Sequence, residues 1–203
     1  MKGKIFLVGL TITVVFALCA AASAQVPGQL KLRGLINDFT PIPTPNYDGP
    51  WEMHGEWSMH VLKQVEGQPQ KVHFSAELTM ERSDQGVMLH GGDDFTTLAS
   101  RHAHTHHITL NNGEVTTLLY DKSHNVIGFE VKGIATITGN GNPPPDFDPS
   151  AYITIDITGG TLVKYSNLKL TFGDSPNHPP LKGASASAHF GTDAFNGVVE
   201  SVD

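Results

Sequence analysis

From Trp51 onward the apolar residues fall on alternate positions, the spacing of strands with one face buried and the other wet. "WSMHVLK" sets Trp57, Met59 and Val61 on one face. "KVHFSAELTME" sets Val72, Phe74, Ala76, Leu78 and Met80 against a polar face of His73, Ser75, Glu77 and Thr79. "VEGQPQ" between them is turn chemistry and predicts a hairpin. Downstream, Phe129, Val131, Ala135 and Ile137 are in phase, as are Ala151, Ile153, Ile155 and Ile157. Gly159-Gly160 predicts a tight turn into "TLVKYSNLKLTF". The apolar parity of that segment shifts from Val163 and Tyr165 to Leu168, Leu170 and Phe172, which predicts a bulge at Ser166-Asn167. "AHFGTDAFNGVVES" reads as a last strand interrupted by Gly191 and Gly197. No stretch sustains a helical period, and β-branched and aromatic residues dominate the strand segments.

These elements predict an all-β chain of about eight or nine strands joined by hairpins and two long loops, "GNGNPPPDFDPS" and "GDSPNHPPLKGASASA". Such strands either close into a single antiparallel β-barrel or stack as a β-sandwich. Glycines at 133, 191 and 197 interrupt strands as barrel corners do, and favour the barrel.

One strand carries unusual chemistry. In "RHAHTHHITL", residues 101–110, an unbroken strand places His102, His104 and His106 on the face of Ile108 and Leu110, and turns His107 to solvent. Alternate side chains start roughly 6.6 to 7 Å apart, so two imidazoles can converge on one ion, whereas His102 and His106 start about 13 Å apart and do not share one. A metal site therefore needs an adjacent pair and a completing ligand from elsewhere. Asn112-Gly113 is a preferred type I′ turn centre, and a hairpin there sets Asp121 opposite His104. The candidate metal residues are thus His102, His104, His106 and Asp121, with His73, Glu77 and His90 as further donors and zinc or copper as the ion. Met53-His54, Met59-His60 and Met88 near His90 point toward copper, although Met59 already has a core position. The structural alternative is a polar barrel end whose histidines only hydrogen-bond to backbone and loops. The His104-x-His106 pair is similar to the first cupin motif, but Leu110 and Asn111 stand where that motif has its glutamate, so no cupin site is carried over.

The N-terminus bears on compartment. Lys2 and Lys4 precede an apolar run from Ile5 to Leu18, and Ala22-Ser23-Ala24 offers the small-x-small cleavage pattern. Residues 1–24 are predicted to be a signal peptide and the mature chain to start at Gln25 in the periplasm or outside the cell. A retained anchor competes, since Ile5 to Ala22 is 18 residues long, but Gly9, Thr11 and Thr13 dilute it. Cys19, the only cysteine, leaves with the leader, so disulfides and thiolate ligands are excluded and stability rests on a core. Residues 25–50, with five prolines, read as an N-terminal arm that adds one edge strand near Leu30 to Ile36; residues 51–203 read as the barrel domain. Loss of Lys2 and Lys4 takes the formal charge from −7 to −9. A negative chain without a basic cluster is a poor partner for nucleic acid or anionic lipid, and no membrane association is expected of the mature form.

Taken together, "HTHHITL", "VKGIATITGNG", "ITIDITGG" with "YSNLKLTFG", and "HFGTDAFNGVV" resemble uncharacterised exported bacterial all-β proteins over most of the mature chain. The resemblance implies export and a single domain and transfers no activity. No nucleophile elbow, zinc-protease helix or phosphate loop is present. The expectation is a binding module for a metal or small molecule. A lipocalin-like carrier with an apolar cavity beneath Trp57, Phe74 and Phe129, and a metal-dependent enzyme, are the alternatives.

Overall fold

Period-two alternation folds here into eight strands that close on themselves. The computed structural model describes residues 26, 28–39, 51–82, 103–140, 146–159 and 164–203. The strands are β1 Lys31–Phe39, β2 Trp51–Val61, β3 Lys71–Arg82, β4 His104–Tyr120, β5 Val126–Gly139, β6 Ser150–Thr158, β7 Asn167–Phe172 and β8 Phe195–Val202. Each pairs antiparallel with the next, and β8 pairs with β1, so the chain forms the expected all-β antiparallel barrel and not a sandwich. A short helix, α1, spans Ala186–Phe190 between β7 and β8.

Every strand contributes inward apolar side chains, among them Ile36, Met53, Phe74, Ile108, Phe129, Ile155, Leu170 and Phe195. An eight-stranded barrel has an interior just wide enough for side chains to fill. Trp57, Phe74 and Phe129 are at most 3% exposed, and the Trp57 and Phe74 rings stack at 6.2 Å. Water-sized space beneath them would leave these surfaces accessible. The strand anticipated in the N-terminal arm is β1, which has neighbours on both edges, β2 and β8, so residues 31–39 are part of the barrel wall. Residues 1–24, predicted from sequence to be a leader, lie outside the described residues.

Three local expectations are corrected. Asn112-Gly113 is not a turn: β4 runs through it for 17 residues, and the reversal comes at Asp121–Asn125. Gly113 serves close packing instead. A Cβ there would lie 2.7 Å from Leu110 Cδ2 and 2.9 Å from Val131 Cγ1, and the β4–β5 register shifts across this stretch, which coils the long strand around the barrel. The strand expected over 161–172 is shorter at its start: residues 160–163 lie outside the described residues, 164–165 form a turn, the Ser166 hydroxyl donates to the Gly159 carbonyl, and β7 starts only at Asn167. "AHFGTDAFNGVVES" is not one strand, since its first part lies in α1, Gly191 caps that helix, and β8 starts at Phe195.

Candidate metal centre

The site lies at the barrel end where β4 begins, and strand parity builds half of it. On the inner face of β4, His104 and His106 continue the line of Ile108 and Leu110; His106 is fully buried and His104 half-buried. His107 points outward, as expected, 3.6 Å from Glu77.

The third member comes from the helix. The β7–β8 connection folds back over the barrel end and is fastened by Asp148, a buried carboxylate. Asp148 accepts hydrogen bonds from the Ser150 and Leu181 backbone N–H groups at 3.0 and 2.8 Å, the Ser175 hydroxyl at 2.8 Å and the Asn177 amide at 3.0 Å. These donors, the backbone N–H groups first, hold its pKa down at about 2. The Ser187 hydroxyl donates to Asp174 at 2.9 Å, and Phe190 stacks on Phe172 of β7 with centroids 4.3 Å apart. Held at both ends, α1 aims His189 at the β4 pair.

The three imidazoles then converge. His189 Nε2 is 3.2 Å from His106 Nε2 and 3.5 Å from His104 Nε2, and the three candidate ligand atoms lie within 4.8 Å of one another. Tetrahedral bonds of about 2.0 to 2.1 Å separate ligand nitrogens by about 3.3 Å, so the two short edges have the spacing of nitrogens that share one ion. Aromatic rings wall the cluster. Trp51 meets His104 edge-on at 5.7 Å, Phe190 meets His106 at 4.8 Å, and Phe147 stacks on His189 at 5.0 Å.

This surround sets the protonation states. Burial, followed by the charges His189 and His104 would carry, pushes the His106 pKa down to about 2; the Thr138 backbone offsets this only in part. Burial and His104 push His189 down to about 4. Both rings are therefore neutral at ordinary pH, the form that ligates a metal. Nδ1 of His106 is buried with no hydrogen-bond partner of normal geometry, a group that costs about 1 to 3 kcal/mol to leave unsatisfied.

Of the predicted residues, His104 and His106 come together and Asp121 does not join them. His104 faces Met80 across β3–β4, whereas Asp121 sits in the β4–β5 turn at the far end of β4. There its carboxylate accepts from the Ser123 and Asn125 backbone N–H groups, both at 2.8 Å, and from the Asn125 side chain at 3.0 Å. Those Asn125 and Ser123 contacts lower its pKa and identify it as a turn-former. His102 and His90 lie outside the described residues. His73 and Glu77 project outward from β3, away from the cluster. Sequence reasoning missed His189, because a five-residue helix is too short to show a period. Its signal was "SASAHFG", small residues ahead of a His-Phe pair and a glycine stop.

A groove of about 620 Å³, lined by Arg33, Glu56, Glu77, His107 and Glu200, lies on the outer face of the sheet, across the wall from the cluster. No helix among the described residues is long and apolar enough to cross a membrane. The family models, curated proteins and solved structures compared with this chain include no match.

Proposed function

We propose that this protein is an exported β-barrel that binds a transition-metal ion through the Nε2 atoms of His104, His106 and His189. The observation that carries the reading is the convergence of three imidazoles, at ligand spacing, on the inner side of a barrel end. Among the described residues these three imidazoles are grouped at ligand spacing, and a buried His106 Nδ1 without a hydrogen bond of normal geometry costs stability that a bound ion would offset. Export is the reading of residues 1–24, and it would place the site in the periplasm or outside the cell. The close packing of Trp57, Phe74 and Phe129 counts against the apolar-carrier alternative. The outer groove is on the wrong side of the sheet to serve as a substrate pocket for the cluster.

Calorimetric titration with zinc or copper tests this. Stoichiometric binding is expected, weakened by about 100-fold or more in His189→Ala and in His104→Ala/His106→Ala. No heat with either ion, or unchanged binding in the variants, would sink the proposal.

A further inference from the structure

We infer that the groove on the outer wall of the barrel is a second binding site, separate from the histidine cluster, and that it takes a short zwitterionic peptide of two or three residues by its two ends. Three observations converge on it.

First, strand parity cuts the groove. Outward positions alternate with core positions along each strand, so lines of outward side chains cross the wall from strand to strand. One line is short apart from its arginine: Ser201 of β8 pairs with Arg33 of β1, Arg33 with Ser58 of β2, Ser58 with Ser75 of β3, and Ser75 with Thr109 of β4. The next line is tall, with Glu56 paired to Glu77 and Glu77 to His107. The step between them leaves a depression of about 620 Å³, a size that small-molecule sites occupy.

Second, opposite charges stand in this groove without pairing. Arg33 and Glu56 are diagonal neighbours, about 7 to 8 Å apart at their bases and within reach of long side chains. Yet among the described residues Arg33 and Glu56 form no ion pair and no side-chain hydrogen bond, nor does Glu200 at the β8 end, and Glu77 has only His107 at 3.6 Å. Glu56 and Glu77 are also direct cross-strand partners, a placement of like charges that is unfavourable until a cation sits between them. The groove thus offers an anion position at Arg33 and a cation position beside Glu56 and Glu77. A ligand that fills both carries a carboxylate and an ammonium separated by that span, and two or three extended residues span about 7 to 11 Å.

Third, the floor between the two positions suits backbone amides. Ser58 Oγ and Ser75 Oγ lie 3.0 Å apart, so one hydroxyl donates to the other and the second keeps its proton for a ligand. Trp57, Ala76 and Ile108 also line the groove, but their side chains are buried on the inner side, so they offer no aromatic or aliphatic surface to the outside. Such a floor meets carbonyls and N–H groups and leaves ligand side chains in water. With one arginine against three glutamates, the ammonium is the stronger handle.

Isothermal titration of the purified protein at low ionic strength tests this, with trialanine, N-acetyl-trialanine, trialanine amide, free alanine and spermidine as probes. Trialanine should bind one to one. N-acetylation should weaken it by about tenfold or more, amidation by about threefold or more, and alanine, too short to span the groove, should bind about tenfold or more weakly. Glu56→Gln/Glu77→Gln should bind trialanine and its N-acetyl form alike, and Arg33→Gln should no longer distinguish trialanine from its amide. These exposed substitutions leave the fold intact, which urea unfolding checks. The affinity should be the same with zinc and with a chelator present. No binding of trialanine, equal binding of the N-acetylated peptide, spermidine binding as tightly as trialanine, or binding that requires zinc would each overturn the groove assignment and leave the three-histidine reading to its own test.

Discussion

His106 and Asp148 are both buried polar groups at the same end of the barrel, and their surroundings are opposite. Asp148 is saturated, with four donors from the loops it ties together. His106 is poorly satisfied: it meets two other imidazoles, and its Nδ1 makes no hydrogen bond of normal geometry, with the Thr138 backbone offering only partial support. Both pKa values fall to about 2, Asp148's because donors stabilise its charge, His106's because burial penalises its charge. The pair separates two reasons for keeping a polar group in a core. A satisfied group holds an element in place, whereas an unsatisfied one costs stability and implies a partner that the chain itself does not supply.

The largest effect tests the first half of that contrast. Asp148→Ala removes the acceptor shared by Ser175, Asn177 and Leu181, which releases the connection that carries α1. Metal affinity should fall by about 100-fold although no ligand is touched, while far-ultraviolet circular dichroism still reports a barrel. Hydrogen exchange should rise in 174–190 and stay slow in β3 and β4. Unchanged metal affinity in this variant would mean that His189 is placed by Phe190 packing alone.

His106→Leu tests the other half, and should move stability and binding in opposite directions. It replaces an unsatisfied imidazole with an aliphatic side chain among Leu78, Phe147 and Phe190, so the metal-free protein should gain about 1 to 3 kcal/mol in urea unfolding at neutral pH. Metal binding should disappear. A loss of stability in the metal-free variant would show that the histidine is a satisfied structural group.

Acid divides the two groups by window. Above about pH 6.5 His106 and His189 are neutral whether folded or unfolded, and contribute no pH dependence. Below it the unfolded chain takes up protons that the folded chain refuses, so stability falls as pH drops, by about 1.4 kcal/mol per pH unit for each histidine. His189 leaves the balance near pH 4, where it protonates in the folded state, and His106 continues toward about 2. Asp148 acts only below its ordinary 3.8, where the unfolded carboxyl protonates first and stability is lost as pH falls toward about 2. Urea midpoints between pH 7 and 4 should therefore decline in the metal-free protein, and decline less steeply in His106→Leu. A flat profile in the parent would show that the histidines take up protons freely while folded.

The barrel was legible in the sequence because its period is short and repeated. Val72 to Met80 and Ala151 to Ile157 announce their buried faces within a few residues, and the parity of "HAHTHHITL" alone turns His104 and His106 inward and His107 outward. Half of the site was legible for the same reason. The other half depended on two things that local pattern does not carry. One is register over distance: Asn112-Gly113 has the chemistry of a turn, but Leu110 and Val131 pack where a Cβ would stand, and the strand continues. The second is the approach of α1, decided by hydrogen bonds from residues 175–181 to Asp148, which lies 27 or more positions away.

The smallest expected effect follows from that misplaced turn. Asp121→Ala and His107→Ala alter residues drawn from the same histidine strand and its supposed hairpin, but the structure sets one in a turn at the far end of β4 and the other on the outer face beside Glu77. Neither shares a hydrogen bond or a wall with the three imidazoles. Metal affinity should stay within about twofold of the parent in both variants, since substitutions on separate, surface-lying groups act independently of a buried site. Asp121→Ala should instead loosen residues 121–125, which hydrogen exchange at Ser123 and Asn125 would report. A tenfold loss of metal affinity in Asp121→Ala would bring this carboxylate back to His104 and restore the hairpin at Asn112-Gly113, because only that register places the two side by side.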